Sequence, residues 1–425
     1  MMNRRDFLKL SAATGLCVGG STLLGRAWAD DYANPGATAA AYEGKLFVMV
    51  QATGGWDPTL LCDPKPGLNN SYGAPSEVGG IQYAPIGASA DTFFTNHADK
   101  MTVINGVDAA TNNHESGRRH NACGRLGAGY PNLAALIAGA KSPESPMAFL
   151  TFGGYERTQG VVAPVRDGNA NRLAELAFPE RINATDELSA TYHSPAAQDI
   201  IATAREDRAA DLLGHQELPR YQSSLDTLMT ARAGSDELKL LQQVLPEPDG
   251  NGDFRKCQLI VAAYKAGIGV AANLSRGGFD THAQHDNNHI PRMTAILDMV
   301  DFLWAEAARQ GVEDKLVVLM TSDFGRTPGY NSDMGKDHWS VTSMIAMGNG
   351  IPGNRVIGRT TDGHELVPLD PTNLTDELPE DDDSAVRIGP MHVHRALRRL
   401  MEVDGSEPDV EFPLGTEEDD LPIFG

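Results

Sequence analysis

Several short segments of this chain place aspartate or histidine beside glycine, in patterns suited to holding a cation or an oxyanion. They are Gly54-Gly55-Trp56-Asp57, Asn112-Asn113-His114-Glu115-Ser116-Gly117-Arg118, Gly277-Gly278-Phe279-Asp280-Thr281-His282, Ser322-Asp323-Phe324-Gly325-Arg326-Thr327 and Gly335-Lys336-Asp337-His338-Trp339. Mixed carboxylate and imidazole ligands suit a divalent cation such as zinc or manganese, with calcium and magnesium also open. The glycines let the backbone bend sharply and come close to a bound group. Arg118 and Arg326 have the fork geometry to hold an anion bidentately. Each motif alone has a structural explanation, for instance an aspartate capping a helix next to an exposed histidine. Their recurrence in separate segments favours a metal or oxyanion site over structure alone.

Such residues act together only if the fold brings them to one edge. Lys45 to Val50 is a continuous apolar run that stops at Thr53-Gly54-Gly55, the pattern of a strand buried on both faces. Met101–Ile104, Met147–Phe152, Lys315–Met320 and Ser343–Met347 repeat it, each run giving way to polar or glycine residues. Helical spacing is predicted between them at 133–140, 199–213, 223–244, 254–272 and 290–310. Strands alternating with helices predict an α/β fold with a mostly parallel central sheet and helices on both faces. In such sheets ligands bind beyond the carboxyl ends of the strands, where the segments above are expected to fall. One domain over 44–425 is expected, with a helical insertion at about 180–250. Residues 359–386, including Glu380-Asp381-Asp382-Asp383, read as an acidic surface excursion.

The N-terminus carries its own message. Arg4-Arg5 precedes a short stretch rich in Ala, Gly and Ser, which closes at Ala27-Trp28-Ala29. This predicts a twin-arginine signal peptide over 1–29, followed by a flexible lead-in at 30–43. The expected partner during export is the twin-arginine translocase, and the expected location is periplasmic or extracellular. The stretch is too short to span a bilayer, and no later segment is apolar enough to do so. The formal charge is −22 over the full sequence. Removal of Arg4, Arg5, Lys9 and Arg26 together with Asp6 takes it to about −25. Such an acidic surface excludes nucleic acid as a partner and repels anionic lipid. Of four cysteines, Cys17 departs with the signal. Cys62, Cys123 and Cys257 remain, with no CxxC, compatible with one disulfide plus a thiol or with three buried thiols.

In combination and in this order, Gly-Gly-Trp-Asp, Gly-Gly-Phe-Asp-Thr-His, Ser-Asp-Phe-Gly-Arg-Thr-Pro and Lys-Asp-His-Trp resemble the secreted family called domain of unknown function 1501. That family is grouped with the alkaline phosphatase and sulfatase superfamily. The likeness runs over about 44–403 and closes with Gly389-Pro-Met-His-Val-His-Arg-Ala-Leu-Arg-Arg-Leu400. The resemblance implies an alkaline-phosphatase-like fold and a metal held by Asp280, His282, Asp323 and His338, with Asp57 similar to a first-strand aspartate. It implies hydrolysis or transfer of phosphate or related esters, on a small-molecule or envelope-derived substrate. His114 fills the position where related enzymes carry a nucleophile, with Ser116 two residues on. Cys123 lacks the Cys-x-Pro-x-Arg setting of a sulfatase. A non-catalytic periplasmic protein that keeps the fold and binds a ligand or partner is the alternative.

Overall fold

The computed structural model describes residues 41–425 other than 69, 167–173, 176, 187, 216–217, 219–220, 223–224 and 226–234. The signal at 1–29 and the lead-in up to residue 40 therefore lie outside the described residues.

The sheet has eight strands, numbered here in chain order: β1 (Leu46–Ala52), β2 (Met101–Asp108), β3 (Met147–Phe152), β4 (Pro164–Val165), β5 (Gly269–Arg276), β6 (Leu316–Ser322), β7 (Val341–Gly348) and β8 (Arg355–Ile357). Their spatial order is β8-β2-β7-β6-β1-β5-β3-β4. All run parallel except β7, which is antiparallel to both β2 and β6. The central strand β1 shows why its sequence is apolar without alternation. Leu46, Val48 and Val50 enter one core and Phe47 and Met49 the other. The first core is closed by α1 (Ala88–His97), α6 (Gly252–Lys265) and α7 (His285–Arg309), the second by α3 (Leu133–Lys141) and α8 (Pro390–Leu400). A sheet covered on both faces must bury both sides of every central strand. Between 180 and 250 the described elements are α4 (Pro195–His215) and α5 (Ser235–Val244).

One expectation fails inside the core. The helix predicted over 254–272 ends at Lys265, and β5 begins at Gly269 between β1 and β3. Gly267 adopts φ +77°, which breaks the helix, and Val270, Ala271 and Ala272 then continue as a buried strand. Apolar residues resume directly after Lys265 and the two glycines of the junction, so hydrophobicity alone hides the change. Cys62, Cys123 and Cys257 are three free, buried thiols. Burial pushes the Cys123 thiol up to about 11, out of the reactive range.

Candidate metal centre

The carboxyl ends of β2, β1, β5 and β6 lie along one edge of the sheet, and the reversed strand β7 starts there. Each contributes a segment. Past β2, Asn113 caps α2 (His114–Cys123) by accepting the Ser116 amide at 3.1 Å, which fixes His114 as the first helical residue. Past β5 come Asp280 and His282, and directly past β6 comes Asp323. Before β7, a two-residue ribbon pairs His338 with Arg326. The approach is close: at Gly54, φ +117°, a Cβ would meet the Asp280 amide nitrogen at 2.5 Å. Only glycine gives this backbone both the dihedral and the space.

Four side chains converge. Asp280 Oδ1 lies 3.0 Å from His282 Nε2 and 3.2 Å from His338 Nε2. Those two nitrogens are 3.0 Å apart. His114 Nε2 approaches the other oxygen, Asp280 Oδ2, at 3.3 Å. Ligand atoms of His114, Asp280 and His338 all lie within 4.8 Å of one another. The opposite nitrogen of each ring settles what faces inward. His338 Nδ1 must donate to the Asn112 carbonyl at 2.8 Å, because a carbonyl oxygen only accepts. His282 Nδ1 faces the Asp337 carboxylate at 2.8 Å, and His114 Nδ1 faces Asp323 Oδ2 at 2.9 Å. With Nδ1 carrying the proton in all three rings, three Nε2 lone pairs and a carboxylate point at one another. Acceptors that meet this closely need a shared proton or a cation between them. His114 Nε2 is buried with no hydrogen-bond partner; the 3.3 Å approach to Asp280 is too poorly aligned to be one. Three imidazole nitrogens and one carboxylate, each imidazole steadied from behind, form the donor set and outer layer of a zinc- or manganese-type centre.

The electrostatics follow from these contacts. Partial burial works against ionisation of Asp280, but the Arg326 guanidinium that donates to Oδ1 outweighs it, and the pKa falls to about 2. The hydrogen bond to Asp323 raises the His114 pKa, against the effect of burial. His282 likewise holds the Asp337 carboxyl below its ordinary value.

Among the residues singled out in the sequence, Asp280, His282, His338 and His114 come together. His114 stands inside the cluster rather than across a gap from it. Asp323 sits behind: only 1 % of its side chain is exposed, and Oδ2 receives both His114 Nδ1 and the Gly54 amide at 3.0 Å. Its geometry is that of a group orienting His114. Arg326, expected to bind substrate, is wholly buried. Its Nε donates to the Gly55 carbonyl, Nη1 to the Lys336 carbonyl, and Nη2 to the Gly54 carbonyl and Asp280. Four of its five N–H donors are engaged and the guanidinium is sealed from solvent, so its geometry is that of a group holding Asp280 rather than an anion. Arg118 is the available cation: its Nε lies 3.5 Å from Asp323 Oδ1 without a hydrogen bond, and the side chain is 37 % exposed. The Ser116 hydroxyl meets Arg119 Nη2 at 3.4 Å and, among the described residues, bonds to no member of the cluster. Asp57 is not brought here. It is fully buried in a separate group, with Lys336 Nζ at 2.7 Å and His285 Nε2 at 3.1 Å from its Oδ2. Asp337 was legible only as the neighbour of His338, and nothing in the sequence marks it as the partner of His282.

The fold and this site define an α/β protein with a mostly parallel sheet and a histidine–carboxylate cluster at the sheet's carboxyl edge. The chain belongs to the family described as protein of unknown function (DUF1501), which it matches over residues 44–376. No curated protein matches it. Solved structures similar to it include the lipoteichoic acid synthase LtaP from Listeria monocytogenes, at 9 % identity and a TM-score of 0.36, covering 90 % of this chain and 77 % of that one. The alkaline phosphatase from the Antarctic bacterium TAB5 is similar at 11 % identity and a TM-score of 0.33, covering 72 % and 93 %. The PsFucS1 sulfatase from Pseudoalteromonas sp. is similar at 10 % identity and a TM-score of 0.36, covering 89 % and 73 %. Identity and superposition this low carry none of those enzymes' chemistry to this chain. No described helix is long and apolar enough to cross a membrane.

Proposed function

We propose that this chain is a divalent-metal-dependent hydrolase or transferase acting on phosphate or related esters. The observation that carries the proposal is the meeting of three Nε2 atoms with the Asp280 carboxylate, with no protein donor between the nitrogens. The three imidazoles and Asp280 would hold the ion, and nitrogen-rich donors favour zinc or manganese over calcium or magnesium. A divalent ion bound there supplies Lewis-acid charge to ester oxygens and lowers the pKa of a water. Asp323 and Asp337 keep His114 and His282 in the tautomers that leave Nε2 free. Arg118, whose side chain is 37 % exposed beside the cluster, would orient the anionic group of a small-molecule or envelope-derived substrate. With the leader read at 1–29, the place of action is the periplasm or the extracellular space, reached by twin-arginine export.

The test is hydrolysis of bis(p-nitrophenyl) phosphate and p-nitrophenyl phosphate by the purified protein with zinc or manganese supplied. Asp280→Asn and His114→Ala should each lower kcat/KM by roughly 100-fold or more, and Arg118→Ala should act mainly on KM. Ser116→Ala should leave turnover intact. Activity should also fall on acidification from neutrality. Its direction is set by His114, whose raised pKa lets a proton compete for Nε2 at a higher pH than an ordinary imidazole would allow. A flat profile from pH 8 to pH 5 would contradict this.

One observation favours a second reading. Among the described residues, no serine or threonine hydroxyl hydrogen-bonds to His114, His282, His338 or Asp280. A non-catalytic exported protein that uses the same cluster to bind a ligand or partner would bind the ion and hydrolyse neither ester.

A further inference from the structure

Behind the cluster lies a second polar group that the proposed chemistry does not use. Asp57, His285 and His289 are wholly buried, and Thr281 is 5 % exposed. Thr281 stands between Asp280 and His282 in the chain, so whatever holds it also holds two of the side chains that meet at the site.

With both imidazoles neutral, the hydrogen bonds allow one consistent assignment of protons. The Asp57 amide can only donate, and it faces His289 Nε2 at 3.0 Å, so that nitrogen accepts. His289 Nδ1 therefore carries the proton and donates to Thr281 Oγ1 at 3.0 Å. Asp57 Oδ2 accepts, so His285 Nε2, 3.1 Å away, donates. His285 Nδ1 is then left as an acceptor, and Thr281 Oγ1 donates to it at 2.7 Å. The result is a closed directional ring: Asp57 amide to His289, His289 to Thr281, Thr281 to His285, and His285 back to the Asp57 carboxylate. Lys336 clamps the same carboxylate. Its three ammonium protons meet Asp57 Oδ2 at 2.7 Å, Asn70 Oδ1 at 2.9 Å and Thr59 Oγ1 at 3.1 Å. The Lys336 amide donates to the Thr281 carbonyl at 3.2 Å, and Asp337 and His338 follow it directly. Both segments that carry ligand-type side chains, 280–282 and 336–338, are thus pinned at their buried residue to Asp57.

We infer that the ring of Asp57, His289, Thr281 and His285 is a positioning device, which sets the spacing of Asp280, His282 and His338 and so tunes the affinity of the cluster for a divalent ion. This inference rests on the cation reading above. Asp57 then acts on the site from behind, as a positioning residue. Thr281 is the member to change, because valine keeps its shape and removes only the hydroxyl.

The experiment is calorimetric titration of zinc and of manganese into the chelator-stripped wild type, Thr281→Val and Thr281→Ser, alongside 15N NMR of the histidine rings in the wild type. Thr281→Val should bind the ion about 10-fold more weakly, in the range that outer-layer changes produce, and Thr281→Ser should recover most of the loss. The wild-type rings should show His289 protonated at Nδ1 and His285 at Nε2. Equal affinity in the wild type and Thr281→Val overturns the inference alone, as does either ring in the opposite tautomer. If Thr281→Val does not fold, the serine variant and the two tautomers decide. A wild type that binds neither ion, with both tautomers as assigned, overturns the functional reading and the positioning role with it, but leaves the ring in place.

Discussion

Replacing Lys336 with methionine should destabilise the protein by about 3–5 kcal/mol, the usual cost of leaving one member of a buried ion pair uncompensated. Lys336 and Asp57 are both wholly inaccessible to solvent, and the ammonium meets the carboxylate at 2.7 Å. Methionine fills the volume of the stem but leaves Asp57, Asn70 and Thr59 facing an apolar group. Burial disfavours the Asp57 carboxylate, yet Lys336 first and His285 next outweigh burial and hold its pKa well below the ordinary value. A carboxyl whose pKa falls on folding adds stability above its unfolded value of about 3.9, and loses it only as pH drops through the folded value. The full effect should therefore be present in urea unfolding at pH 7. The double variant Lys336→Met with Asp57→Asn removes both charges and should recover part of the loss. A single-variant change below about 1 kcal/mol would mean that the pair is solvated in solution.

Stripping divalent ions from the purified protein should lower its melting temperature, and adding back zinc or manganese should restore it. The reason is that the empty cluster sets lone pairs and a carboxylate against one another, and the bound ion removes that repulsion. An ion present at a thousand times its Kd stabilises the folded state by about 4 kcal/mol. Asp280→Asn should abolish the response, because it removes the carboxylate that contacts all three Nε2 atoms. An unchanged melting curve under strong chelation would show that the cluster is held together by shared protons alone.

Much of this was legible in the sequence, and the limits have physical causes. The apolar runs at 45–50 and 315–320 read as strands because a sheet covered on both faces needs side chains buried on both sides. The strand at 269–276 follows an apolar helix across a junction marked only by Lys265, Gly267 and Gly269, so its apolar start reads as more of the same helix. The segment 114–123 is absent from the predicted helices because its residues are polar, yet Asn113 caps it and Gly124, at φ +76°, closes it as a helix. Asp57 and Asp280 show the limit most directly. Both end a Gly-Gly-aromatic-Asp motif, yet Asp57 is wholly buried while the Asp280 side chain is 47 % exposed. The difference lies in what each meets in space: Lys336 from a loop 279 residues away for Asp57, three imidazoles for Asp280. His285 and His289 carried a readable signal, since residues four apart share one helix face. Their partner Thr281 was visible only as part of Asp-Thr-His.

The most direct measurement of the central claim is titration of zinc or manganese into the chelator-stripped full chain, with stoichiometry and affinity read by calorimetry for the wild type and for Asp280→Asn. The wild type should bind one ion per chain and release protons as it does so, and Asp280→Asn should bind about 100-fold more weakly or not at all. A wild type that takes up no ion, or an Asp280→Asn variant that binds as tightly as the wild type, would contradict the claim that His114, His282, His338 and Asp280 form a metal centre.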